Sequence, residues 1–214
     1  MDPTSIHDAL AQVREVRQRV IERQRFLGYS AGGRFIGGGL TVAAALLISQ
    51  AWFPQSPLPM LAVWIATAVL AAAINYGLCL RWYLTLPVDV RQPDRLYPLV
   101  DSVPPLIVAA VVTLAFSLRG QYDLLFGAWM CLFGLVNFYS WHHLPRSVRA
   151  LGMFYVACGC LFLLHPAVVF LNPWPMALVY IVGETAGGLI VRQNALAGRL
   201  WPALPAPQGR REQL

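Results

Sequence analysis

The chain has 214 residues, 57% of them hydrophobic and only 12% charged, whereas a soluble domain carries about 45–50% apolar and about 25% charged residues. A formal charge of +6 in a soluble protein would point to nucleic acid, but here its distribution along the chain is a membrane-topology signal, and no nucleic-acid partner is expected. Cys79, Cys131, Cys158 and Cys160 all lie in apolar runs without a C-x-x-C, so they give no sign of a disulfide framework or a zinc site.

Residues 1–34 form a basic lead-in with no apolar run, and no cleaved signal is expected. Within it, Ile6, Leu10, Val13, Val16, Val20 and Ile21 recur close to a helical period among Arg14, Arg17, Arg19, Arg23 and Arg25. An amphipathic helix over 4–27 is expected, lying on the cytoplasmic leaflet or docking a partner protein.

From Phe35 on, apolar runs of roughly 20 residues alternate with Pro- and Gly-rich breaks, and each run is long enough to cross a hydrocarbon core of about 30 Å. The reading is all-α: an integral membrane bundle of six transmembrane helices at 35–53, 59–81, 97–118, 123–142, 148–166 and 174–192, together spanning a domain of 35–192. Pro104 and Pro105 are expected to bend the third helix. Residues 193–214 are Pro-rich and read as a flexible cytoplasmic tail. Short connections favour antiparallel neighbours. All sixteen basic residues are Arg, and with the N-terminus inside only Arg119 falls on the outer side. That asymmetry places both termini in the cytoplasm.

Charges at membrane depth are costly, about 2.5–3.5 kcal/mol on insertion scales, so each needs a partner or a purpose. Asp101, one turn into the third helix, is within reach of Arg34, Arg81 or Arg95 snorkelling from the rim. Glu184 lies deeper, about 12 Å of helix from Arg192. Tyr180, Gly187 and Gly188 share its face, and Gly183 with Gly187 forms a G-x-x-x-G, so Glu184 faces protein. Gly33 and Gly37 repeat that spacing in the first helix, while Gly127 with Gly134 and Gly152 with Gly159 lie seven apart. Such spacing indicates tight helix contact and leaves internal packing and dimerisation both open. Asn75, Tyr76, Asp101, Asn137, Tyr139, His142 and Glu184 fall at one level in the cytoplasmic half. They constitute either a polar pocket beneath an apolar plug or a set of interhelical hydrogen bonds.

Catalytic chemistry finds no support. His142 and His143 sit about 25 Å of helix rise from His165, so they do not share a haem, and Cys158 and Cys160 fall on opposite helix faces. No G-x-S-x-G, H-E-x-x-H, P-loop or Rossmann pattern occurs. No catalytic residue, metal or cofactor is expected, and the chain reads as non-enzymatic.

The stretches "RFLGYSAGGRFIGGGLTVAAALL" and "GAWMCLFGLVNFYSWHHLPRSVRALGMFYVACGCLFLL" resemble a loose group of uncharacterised small six-helix bacterial inner-membrane proteins. In that group the first helix follows an Arg-Phe and Ser-Gly-rich lead, and a short basic turn joins the fourth and fifth. The chain departs from the group at "WHHLPR" and in its longer Arg-rich start. The resemblance implies topology only. Two functional expectations remain: an accessory, assembly or scaffold component that packs against other membrane subunits or its own copies, or a small proton-coupled carrier using Glu184 and Asp101.

Overall fold

The computed structural model describes residues 30–86, 88, 91, 96–100, 102–139, 147–165 and 168–200. The amphipathic segment expected at 4–27, Asp101, His142 and the last part of the tail lie outside these residues. Among the described residues the chain is all-helical and contains six helices longer than one or two turns: α1 (Ala31–Ile48), α2 (Pro57–Thr85), α3 (Val103–Leu118), α4 (Leu125–Tyr139), α5 (Ser147–Leu164) and α6 (Trp174–Leu200). Four segments, Ala31–Ile48, Pro57–Thr85, Ser147–Leu164 and Trp174–Gln193, are long and apolar enough to cross a membrane.

The helix ends follow from local chemistry. Ser30 caps α1, its hydroxyl accepting from the Gly33 N–H at 3.4 Å. The first helix stops at Ile48, short of the expected 53, in a turn that tucks Phe53 inward ahead of Pro54. Proline at the start of α2 loses no helical hydrogen bond there. At the other end of α2, the Arg91 guanidinium donates to the carbonyls of Leu84 (2.5 Å) and Leu86 (3.0 Å) and satisfies carbonyls the helix leaves open.

The third segment differs from expectation. A single turn, Tyr97–Val100, precedes a break, and Pro104 and Pro105 open the new helix α3 instead of bending a continuous one. Their missing N–H groups fall in a first turn where no acceptor awaits them. Gly120, at φ 69°, closes α3 in the left-handed conformation that glycine adopts without a Cβ clash. The last helix continues to Leu200, past the Arg192 where its apolar run ends.

Glycine sets the tightest contacts. Antiparallel α4 and α5 meet backbone to backbone: a β-carbon on Gly134 would stand 2.8 Å from the Gly152 carbonyl oxygen, and one on Gly159 2.7 Å from that of Gly127. The pairs spaced seven apart are therefore spent on each other inside the chain. Helices α1 and α6 form a second close pair, with Gly188 receiving the Phe35 ring. At the end of the bundle where α1 finishes and α6 begins, Ile48, Phe53, Met60, Trp64, Phe126, Met130 and Phe170 build an aromatic-rich core. Trp64 and Phe126 meet edge to face at 5.6 Å, and Phe126 and Phe170 lie 4.9 Å apart. Asp123 ties that end together by accepting from the Phe170 N–H at 2.7 Å. The opposite end, where α1 begins, holds the buried charges.

Candidate functional site: a buried ion pair shared by four helices

Glu184 sits on α6 with the small residues Gly183, Gly187 and Gly188 around it, each of which makes room for a side chain from another helix. A β-carbon at Gly183 would collide with the Tyr155 hydroxyl, and one at Gly187 with the Arg34 guanidinium. Gly38 on α1 lets the two helices close, since a β-carbon there would lie 3.2 Å from Glu184 Cβ. The glycines thus bring Arg34 of α1 and Tyr155 of α5 onto the carboxylate.

The resulting contacts are direct. Arg34 Nη1 donates to Glu184 Oε1 at 3.1 Å, and the Tyr155 hydroxyl donates to the same oxygen at 2.9 Å. Arg34 Nη2 donates to Asn137 Oδ1 of α4 at 2.5 Å. Asn137 is held for that role by its own amide, which donates to the Phe133 carbonyl one turn back at 2.9 Å. Residual exposure is 2% for Arg34, 3% for Asn137, 6% for Glu184 and none for Tyr155, so the pair acts in a low-dielectric interior. Phe133, Tyr155 and Tyr180 enclose it, their ring centroids 4.9–5.4 Å apart.

Two of the expected polar residues, Glu184 and Asn137, meet in this cluster. Asn75 faces α1 instead, its Oδ1 3.2 Å from where a Gly33 β-carbon would be. Tyr76 belongs to a separate contact, sharing a 2.5 Å hydrogen bond with Ser102, which in turn donates to the Leu99 carbonyl. Tyr139 closes α4, and Asp101 and His142 lie outside the described residues. Gly33 and Gly37 on α1, like Gly183, Gly187 and Gly188 on α6, face other helices of the same chain.

Arg34, expected at the rim, is buried and bonds Glu184 and Asn137; its expected partner Asp101 lies outside the described residues. Two members, Arg34 and Tyr155, are not assigned to this cluster by the sequence. The signal for Arg34 was its setting in "GGRFIGGG", a charge flanked by the same small residues that flank Glu184 in "GETAGG". For Tyr155 it was position: it shares a helix face with Gly152 and Gly159, the face that packs inward.

Among the described residues the cluster joins one cation, Arg34, to one carboxylate, Glu184. Taking two ions out of water costs several kcal/mol each, and removing one partner leaves the other exposed to that whole penalty. The arrangement therefore fixes the relative positions of α1, α4, α5 and α6. No family model, curated protein or solved structure matches the chain.

Proposed function

We propose that the chain is a multipass protein of the bacterial inner membrane, with six spanning helices and both ends of the chain cytoplasmic, acting without catalysis as an accessory, assembly or scaffold component. The observation that carries this reading is the division of labour between inside and outside. Arg34 of α1 and Glu184 of α6 pair within the bundle, while the outer surface is apolar: α3 has no buried residue and exposes Leu106, Ile107, Val111, Leu114 and Leu118. A soluble protein rarely leaves such surface open, whereas lipid or a neighbouring membrane helix covers it without cost.

Retention in the membrane after an alkaline carbonate wash, with cytoplasmic reporter activity from fusions at either end, is the result this reading expects. Purification at native expression levels in a mild detergent tests the accessory role. Co-purification of another membrane subunit or of further copies supports it, and a lone monomer removes its main support.

A second reading, a small proton-coupled carrier using Glu184 and Asp101, is favoured by one observation: Glu184 Oε2 accepts no hydrogen bond among the described residues. Glu184→Gln in a protein that stays folded would then abolish a pH-dependent transport signal, and an unchanged signal takes the carboxylate out of that mechanism.

A further inference from the structure

The four cysteines have no spacing in the sequence that would pair them, but the close contact between α4 and α5 brings two of them together. Cys131 stands between Gly127 and Gly134 on the face of α4 that meets α5, and its thiol fills the space that Gly159 leaves. A β-carbon at position 159 would lie 2.6 Å from Cys131 Sγ and 2.8 Å from the Cys131 nitrogen. The same thiol donates to the Val156 carbonyl at 3.9 Å. In α5 that carbonyl is also the helical acceptor for the N–H of Cys160, four residues on. Cys131 Sγ is therefore held against the turn of α5 that carries Cys160, and the two side chains are hydrogen-bonding neighbours. Both thiols are free.

The two are unequally placed. Cys131 is half-buried in the seam, whereas Cys160 is exposed, beside the exposed Leu161 and Leu164 and about 6 Å of helix from the end of α5. The other cysteines are directed elsewhere: Cys158 packs against the aromatic-rich core, and Cys79 is buried in α2. We propose that Cys131 and Cys160 form a redox-active dithiol, which a membrane-permeant two-electron oxidant reaches from the apolar surface at Cys160 and closes into a disulfide joining α4 to α5. With a diazene as the oxidant, the Cys160 sulfur adds to one nitrogen of the N=N bond and its proton passes to the other nitrogen. The Cys131 sulfur then attacks the Cys160 sulfur, the S–N bond breaks, and the second proton leaves with the nitrogen. Two S–H bonds are lost, one S–S bond forms, and the diazene departs as the hydrazine. The site needs only α4 beside α5 and is independent of the role the chain plays among other membrane subunits.

Diamide, a membrane-permeant diazene, tests this on the full chain in lipid vesicles. After treatment the chain is denatured, its remaining thiols are blocked with N-ethylmaleimide, and its peptides are mapped by mass spectrometry without reductant. The expected result is a Cys131–Cys160 linked peptide two hydrogens lighter than its parts, with alkylation falling from four thiols to two, at Cys79 and Cys158. Dithiothreitol should restore all four, and the rate of closure should not change with protein concentration, because the reaction is internal. Cys158→Ala should keep the link, and Cys160→Ala should lose it and leave Cys131 open to alkylation. The unsubstituted chain carries the deciding measurement, so no variant has to fold for the outcome to be read. No internal link in that chain, a link from Cys131 to Cys158, or links only between chains overturns the proposal.

Discussion

Substituting Gly152 by alanine should destabilise the bundle although it adds one methyl group. The new β-carbon would lie 2.8 Å from the Gly134 carbonyl oxygen, 2.9 Å from the Phe138 nitrogen and 3.1 Å from Phe138 Cα. These are backbone atoms of α4, so no side chain can rotate aside. A comfortable carbon contact lies near about 3.5 Å, and parting two helices by roughly 0.7 Å forfeits a quarter to a half of each dispersion contact along the seam. Overpacking of this kind costs about 1–3 kcal/mol, and the rigid obstruction places Gly152 at the upper end. Alanine recovers roughly 1 kcal/mol through its better helix propensity. The net loss is about 2 kcal/mol, on the order of a thirtyfold change in the folded-to-unfolded ratio. Unfolding in mixed micelles, followed by circular dichroism as denaturing detergent is added, measures it against Gly77→Ala. Gly77 meets nothing within 4 Å, so that substitution should be neutral or stabilising by up to about 1 kcal/mol. Equal stabilities for the two variants would refute the claim that α4 and α5 touch backbone to backbone.

The same reasoning predicts coupling at the ion pair. Gly183→Ala drives a β-carbon into the Tyr155 ring and hydroxyl, so its cost should shrink in a Tyr155→Ala background, and a double-mutant cycle that is strictly additive would show that the two do not meet. Tyr155→Phe alone removes one donor from Glu184 and should cost about 1–3 kcal/mol in the same assay. At the other end, Asp123→Ala leaves the Phe170 N–H without its acceptor and should raise amide exchange at Phe170 and its neighbours, with a stability loss near about 1 kcal/mol.

Much of the fold is written in local pattern. Apolar runs separated by Pro and Gly locate all six helices to within a few residues at most ends, because run length and backbone breakers act locally. Errors arose where a residue has two local readings. Pro104 and Pro105 are compatible with a kinked helix or with a first turn, and only the break before Val103 decides between them. The apolar turn 49–53 reads as helix because Phe53 is apolar, yet it is apolar in order to fill the core.

The site was half legible for a related reason. Glu184 stands out because a carboxylate in an apolar run has no local excuse, and its glycine neighbours assign it to a protein-facing side. Arg34, at the start of a helix and near other arginines, has an ordinary explanation as a topology signal, and that explanation conceals its pairing with a residue 150 positions away. The glycine-flanked charge in α1 and its counterpart in α6 are complementary only once the two helices are known to be antiparallel neighbours. Periodicity within a single helix cannot supply that. Tyr155 carried even less signal, since an aromatic residue among small ones reads as core filling until its hydroxyl is seen to reach Oε1.

The central claim is that Arg34 and Glu184 hold four helices together as a pair. Stability of Arg34→Met, Glu184→Leu and the double variant, measured by unfolding in micelles, tests it most directly. Each single substitution should cost about 3–5 kcal/mol because it strands a buried charge, and the double should recover most of that loss, since an apolar pair of similar volume needs no desolvation. Single losses that simply add in the double variant would contradict the account.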